Sequence, residues 1–351
     1  MIHLPRRAAS LLVAGVLASG LLGGCSTGST ESVTATTEPG TQADADAFPV
    51  TIDHAFGETT IESEPQRVVT VGYADQDAAL ALGVVPVGAD KIIWGGNENS
   101  STDWFDARLE ELGGEQPTRY DETDGVPIDE IAKLRPDVVL ASYSGITEQE
   151  YTKLSKLAPV VAYPDEPWST SWQTSLETVG KALGRSEKAA EVRADVEQKI
   201  ADTAQAHPEL QDTSFVLGGI AATDTSKIDY VTPIDVRPQV LTALGMENSP
   251  TVEELSKGSE SFYGSISAEK ASSLESDVFI AMFYDFAEAQ ASVLTQDPLL
   301  RRIPGVESGG LVVADDQKAT QALSTPTALS LPYAMDHFVP QVAEAARAAQ
   351  G

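Results

Sequence analysis

A single cysteine, Cys25, stands in a chain of 351 residues. That scarcity excludes an intramolecular disulfide and any site built on paired thiols. Histidine is almost as rare: His3, His54, His207 and His337 are scattered, with no visible cluster of the kind that captures zinc or manganese directly. His207, before Pro208 at a helix end, and His337, in the final amphipathic stretch, read as structural. Neither an H-E-x-x-H nor a P-loop pattern occurs, so metalloprotease and phosphate-cradling chemistry find no support and the chain does not read as an enzyme. Basic residues are few. The 23 Lys and Arg face 53 Asp and Glu, and the net charge of −30 disfavours nucleic acid and direct adhesion to anionic lipid.

Long apolar runs are also missing. The early one, Leu11-Leu12-Val13-Ala14-Gly15-Val16-Leu17-Ala18, is too short for a membrane span. It follows Arg6-Arg7 and precedes Leu22-Gly23-Gly24-Cys25, the order of a secretory signal. The L-x-G-C ending resembles a bacterial lipobox. That resemblance implies removal of residues 1–24 and acylation of Cys25, with palmitate among the acyl groups, leaving the protein lipid-anchored on the extracytoplasmic face of the cell membrane. Export by the general or the twin-arginine route is left open by Arg6-Arg7. Loss of those two arginines makes the mature chain more acidic still. Residues 25–47 are rich in Ser, Thr, Gly and Ala, too weakly apolar to order themselves, and read as a flexible tether.

Beyond the tether, short β-branched runs alternate with helical patterns. Arg67–Val71, Val84–Gly88, Pro136–Ala141 and Pro159–Tyr163 read as strands; Asp75–Leu82, Ile128–Leu134 and Glu148–Leu157 read as helices. Near-continuous apolar strands separated by helices predict a parallel sheet covered on both faces. From Ser171 to Ala206 the strand signal stops. Leu176, Val179, Leu183, Ala189, Val192, Val196 and Ile200 keep helical spacing, which predicts one long helix, kinked near Gly184 and closed by Pro208. Strand patterns resume at Ser214–Gly218, Asp277–Ala281 and Leu311–Val313, and a last helix is expected over about 326–348. The stretch Asp129–Ala141 aligns without gaps to Glu269–Ala281, a modest sign of two similar halves. The predicted architecture is α/β: Rossmann-like lobes with parallel-type sheets at 48–168 and 208–351, joined by a connecting helix at 169–207.

Several segments together carry a family resemblance. They are Pro65-Gln66-Arg67-Val68-Val69, Ile131–Leu140 followed by Tyr151–Val160, Thr178–Gly184, and Asp297-Pro298-Leu299-Leu300. In combination the chain resembles the periplasmic binding proteins for ferric siderophores, haem and cobalamin, in their lipoprotein form, over nearly everything from Phe48 onward. The resemblance implies a class III periplasmic binding protein fold that captures a ferric siderophore and hands it to an ABC permease and its ATPase. It implies no resident cofactor, a small-molecule iron chelate as ligand, membrane contact through the lipid alone, no nucleic acid, and a monomer. Haem or cobalamin binding is the alternative, with Tyr143 or Tyr263 as an axial haem ligand. An envelope sensor or assembly protein on the same fold is another.

Acidic residues on each lobe of such proteins engage permease arginines. The resemblance implies this role for Asp129, a departure from the family's usual Glu, or its neighbour Glu130, and for Glu269. Ligand contacts belong on loops at the carboxyl ends of strands. Tyr73, Trp94, Tyr143, Ser144 and Trp168 occupy such loops in the first half and Phe283 and Tyr284 in the second, while at Phe262-Tyr263-Gly264-Ser265 the resemblance implies an aromatic contact to the siderophore from Tyr263. Arg119 and Arg237 are candidates to balance an anionic chelate, and the aromatics suit a bulky amphipathic one. The siderophore class is not readable from these residues.

Overall fold

The computed structural model describes residues 42–221, 224–282 and 287–351. Cys25, the signal-like segment, and Phe283 and Tyr284 lie outside them. The described chain belongs to one compact unit, Glu38–Gly351, built around two sheets. The hairpin β1 (Val50–His54) and β2 (Gly57–Ile61) turns at Gly57, whose φ of 120° suits glycine. Then come β3 (Val68–Thr70), β4 (Gly88–Asp90), β5 (Thr118–Tyr120), β6 (Val138–Ala141) and β7 (Val160–Ala162), an all-parallel sheet in the order β5-β4-β3-β6-β7. Strands β3, β6 and β7 are buried throughout, which is why they read as unbroken apolar runs.

Crossover helices cover this sheet: α1 (Asp75–Ala81), α2 (Asp103–Glu111), α3 (Ile128–Leu134) and α4 (Glu148–Leu154). Strand β4 begins four residues later than the apolar pattern at Val84 predicts. The Val84 N–H closes on Ala79 O, Pro86 has no N–H, and the first ladder bond is Val87 N–H to Val68 O.

The expected single long helix is two. Helix α5 (Trp172–Ala182) ends at Gly184, whose φ of 66° is left-handed, and α6 (Ser186–Ala206) folds back against it. Gly180 makes the fold-back possible, since a Cβ there would stand 2.7 Å from Ala189 Cβ. The Asp44 carboxylate accepts from Glu187 N at 3.1 Å and so caps α6 from a distant part of the chain. Helix α6 leads the chain from the first lobe to the second.

The second sheet contains β8 (Ser214–Ala221), β9 (Asp224–Val231), β10 (Glu247–Asn248), β11 (Tyr263–Ser267), β12 (Val278–Ala281) and β13 (Leu311–Val313). Its order is β11-β9-β8-β12-β13, with β10 beside the start of β8. It is mixed rather than parallel. Strands β8, β12 and β13 run parallel, but β9 returns from β8 after two residues and must pair antiparallel, as does β11 with β9. After β13 the predicted last helix is again two, Ser330–His337 and Val339–Ala349, parted at Phe338 just before Pro340.

The repeated segment performs one task twice. Asp137 accepts from the backbone N–H groups of Gln66 and Arg67, both at 2.8 Å, at the head of β3. Asp277 accepts from Ser214 N and Ser214 Oγ, at 2.8 and 2.6 Å, at the head of β8. Each carboxylate pins the neighbouring parallel strand in register.

One apolar core runs through both lobes, from Val68 and Leu140 through Val196 and Ile200 of α6 to Leu217, Val312 and Leu331. Polar ties, buried at Asp77 and more exposed at Lys318, cross the same interface. Asp77 of α1 accepts from Thr327 Oγ1 at 2.7 Å and from Trp104 Nε1 at 2.8 Å. Lys318 Nζ donates to Asp103 at 2.5 Å, and the rings of Trp104 and Tyr333 lie 5.1 Å apart. On the other flank of α1, Asp75 accepts from Ser142 and from Ser175 Oγ at 3.0 Å, joining β6 to α5.

Candidate functional site

The crossovers of the first sheet bring the carboxyl ends of all five parallel strands to one edge, and the second lobe faces that edge. Between them lies a cleft of about 630 Å³. Tyr73 follows β3, Asp90–Trp94 close β4, Asp121–Thr123 follow β5, Tyr143 follows β6 and Trp168 follows β7. From the second lobe come Asp235–Arg237 after β9, Phe262–Tyr263 at the start of β11, and Gln321, Ser324 and Thr325 at the end of the helix Gln317–Ser324. Gly95 lets the loop after β4 lie directly on that helix, where a Cβ would stand 2.5 Å from Gln321 Cβ.

The first-lobe wall is aromatic. Tyr73 and Trp168 stack with centroids 5.6 Å apart and planes 21° from parallel; Tyr143 meets Trp168 edge-on at 5.6 Å. Trp168 holds a left-handed φ of 60°, fixed by its N–H bond to Ser144 O at 3.2 Å. The indole lies directly over Gly145, where a Cβ would be 2.4 Å from Trp168 Nε1. Tyr73 and Trp168 remain 42% and 38% exposed, the open face of a stack that nothing among the described residues covers.

Beside this wall lies a polar one. Glu122 Oε2 accepts from Gly72 N at 3.1 Å, while Glu122 Oε1 has no hydrogen-bond partner among the described residues. Burial, reinforced by the neighbouring Asp90 carboxylate, pushes Glu122 up to about 8. Burial likewise pushes Asp90 up to about 7, with the Asp121 carboxylate adding to the rise. Opposite, Arg237 is buried and held in a fork, donating from Nε and Nη2 to the two oxygens of Asp235, both at 2.8 Å. Its Nη2 also donates to Tyr263 Oη at 2.8 Å. Among the described residues no group of His, Cys, Asp and Glu is placed to hold a metal ion.

Six of the residues singled out from sequence line the cleft: Tyr73, Trp94, Tyr143, Trp168, Arg237 and Tyr263. Two do not. Arg119 lies on β5 beneath the cleft floor, donating to Gln76 Oε1 at 2.5 Å, Asp90 O at 2.8 Å and Ser101 Oγ at 2.8 Å, with its guanidinium 4.7 Å over the Phe105 ring. It braces the loops and does not face a ligand, because three acceptors and a ring already claim it. Ser144 is buried and donates to Ala141 O at 2.8 Å, so it shapes the turn that carries Tyr143. Asp129, Glu130 and Glu269 are exposed, the first two in the opening turn of α3 and the third in a short 3₁₀ turn after β11. The sequence reading missed Asp90, Glu122, Ile93 and Gln321. Asp90 was findable, since it follows the strand predicted at Val84–Gly88; Glu122 was not, because the short strand β5 that precedes it carried no sequence signal.

Two α/β lobes on one connecting helix, with an open aromatic cleft between them, define a ligand-binding protein. Residues 68–318 match the family described as periplasmic binding protein, and the chain belongs to that family; it is a binding protein and not an enzyme. It is 34% identical to Streptococcus pneumoniae TIGR4 PiaA, whose crystal structure in complex with ferrichrome superposes with a TM-score of 0.77 over 85% of this chain and 99% of that one. A periplasmic solute binding protein of Mycobacterium smegmatis is 26% identical, with a TM-score of 0.71 over 85% of this chain and 98% of its own. A curated relative, "Probable siderophore-binding lipoprotein YfiY" of Bacillus subtilis (strain 168), is 26% identical over 286 residues, 78% of this chain and 82% of the relative.

Proposed function

We propose that this protein captures a ferric siderophore in the cleft and delivers it to an ABC permease powered by its ATPase. The observation that carries the reading is the cleft itself, wide, open, aromatic on one wall and without metal-ligating clusters among its described residues. Such a site suits iron that arrives already wrapped in an organic chelate. The names of the relatives, a siderophore-binding lipoprotein and a protein crystallised with ferrichrome, support the same ligand class. Tyr73, Trp94, Tyr143, Trp168, Arg237 and Tyr263 are the contacts assigned here to the chelate. Acylated Cys25 tethers the monomer to the outer face of the membrane, and among the described residues no helix is long and apolar enough to cross it. Asp129, Glu130 and Glu269 meet the permease.

Intrinsic tryptophan fluorescence tests the reading, because Trp94 and Trp168 both line the cleft. A chain lacking residues 1–25 is titrated with ferrichrome, a panel of other ferric siderophores, haemin and cobalamin. Saturable quenching by a ferric siderophore, with haemin and cobalamin silent, is expected. A response to haemin or cobalamin alone, or to nothing, defeats the proposal.

A further inference from the structure

We infer that the cleft selects its ligand by charge, accepting ferric chelates of zero or positive net charge, as trishydroxamates are, and rejecting anionic ones, as tris-catecholates are. This rests on the chelate-capture reading above and narrows it. Three singly charged hydroxamates cancel a ferric ion, whereas three doubly charged catecholates leave a triple negative charge to be matched.

Nothing described in the cleft matches it. The charged lining consists of Asp90, Lys91, Asp121, Glu122, Asp235 and Arg237, four carboxyls against two cations. Arg237, the group best shaped to grip an anion, is neutralised within the wall. Its fork is filled by both oxygens of Asp235, and its Nη2 also donates to Tyr263 Oη. An incoming anion must approach the Asp235 carboxylate as closely as the guanidinium. Lys91 stands among Asp90, Asp121 and Glu122, and its charge already acts on Asp121.

Burial keeps Asp90 and Glu122 partly protonated near neutral pH, so the lining ranges from near zero to negative and does not become positive. The open faces of Tyr73 and Trp168 favour a cationic periphery over an anionic one. Beyond the cleft, a net charge of −30 repels anions during approach.

The test holds the iron centre constant and changes only charge. Ferrioxamine B, a cation through its terminal amine, is compared with its N-acetyl derivative, which is neutral, and its N-succinyl derivative, an anion. Binding is followed by fluorescence on the chain lacking residues 1–25, which retains the whole compact unit Glu38–Gly351. The succinyl form should bind at least about tenfold more weakly than the acetyl form. That gap should shrink as salt rises from about 0.02 to 0.5 M. Asp121→Asn, at an exposed site, should narrow the gap by roughly threefold without altering the melting temperature. Equal or tighter binding of the succinyl form overturns charge selection while leaving chelate capture intact, as does binding of a ferric tris-catecholate by a protein that ignores all three hydroxamates. Failure of every chelate to bind removes the capture reading itself, and this inference with it.

Discussion

Gly145→Ala tests the aromatic wall without touching an aromatic residue. The Cβ it adds would fall 2.4, 2.6 and 2.8 Å from Nε1, Cε2 and Cζ2 of Trp168. Ordinary carbon contacts sit at roughly 3.5–4 Å, so the indole must retreat by about 1 Å or rotate. Because Trp168 is 38% exposed, it has open cleft to move into, and the fold should tolerate the change with a melting temperature lowered by no more than about 2 °C. The stack with Tyr73, at 5.6 Å and 21°, cannot survive the shift, and the surface it presents to a ligand is lost. An aromatic pair contributes about 1 kcal/mol beyond its buried area. Affinity for a ferric trishydroxamate should therefore fall about five- to tenfold, read by calorimetric titration at fixed temperature. Unchanged affinity with an unchanged melting temperature would refute the assignment of Trp168 as a ligand wall. A grossly unfolded variant would refute the view that the indole is free to move.

Three further outcomes follow from the buried polar groups. Asp75 and Asp77 are pushed by burial up to about 6 from an ordinary value of 3.8, so the folded chain binds these protons more tightly than the unfolded one. Their contribution to stability is greatest at low pH and declines as pH rises from about 4 to about 6, by at most roughly 3 kcal/mol each. Asp90 and Glu122 act in the same direction toward about 7 and 8. Calorimetry should show a higher melting temperature at pH 5 than at pH 7.5, and Asp77→Asn should lose part of that rise; a flat profile contradicts the assignment. Thr327→Val removes the hydroxyl that donates to Asp77 at 2.7 Å across the lobes. It should destabilise by about 1.5–3 kcal/mol in urea unfolding; a change below about 0.5 kcal/mol shows that the tie is idle. Arg119→Met strips three hydrogen bonds beneath the cleft and should lower stability by about 2–4 kcal/mol while ligand affinity stays within twofold. A selective loss of affinity would return Arg119 to the ligand set.

Strands such as Val138–Ala141 were legible because burial on both faces leaves an unbroken apolar run. Strand β9 was not, because its first half, Asp224-Thr225-Ser226-Lys227, is exposed and polar and only its pairing with β8 and β11 makes it a strand. The break between α5 and α6 was half-visible. Gly184 marked the spot, but only the contact of Gly180 with Ala189 decides between a kink and a full reversal. Aromatic cleft residues announced themselves by following strands. Arg119 misled because its charge suited an anionic chelate and its segment read as a loop, whereas it lies within β5 and turns beneath the cleft. Glu122 was passed over because an acidic residue in a chain with 53 carboxylates draws no notice until burial sets it apart.

The apolar core that continues from the first sheet through α6 into the second carries a lesson about cooperativity. Two sheets with a matching Asp device at β6 and β12 invite the idea of two modules, each able to stand alone. Cutting the chain between α6 and β8 would instead expose Val196, Ile200, Leu217 and Leu331 to water along one continuous seam. Neither piece closes its own interior. The molecule should melt in one transition, with its calorimetric and van't Hoff enthalpies equal, and whatever binds in the cleft tightens both halves at once.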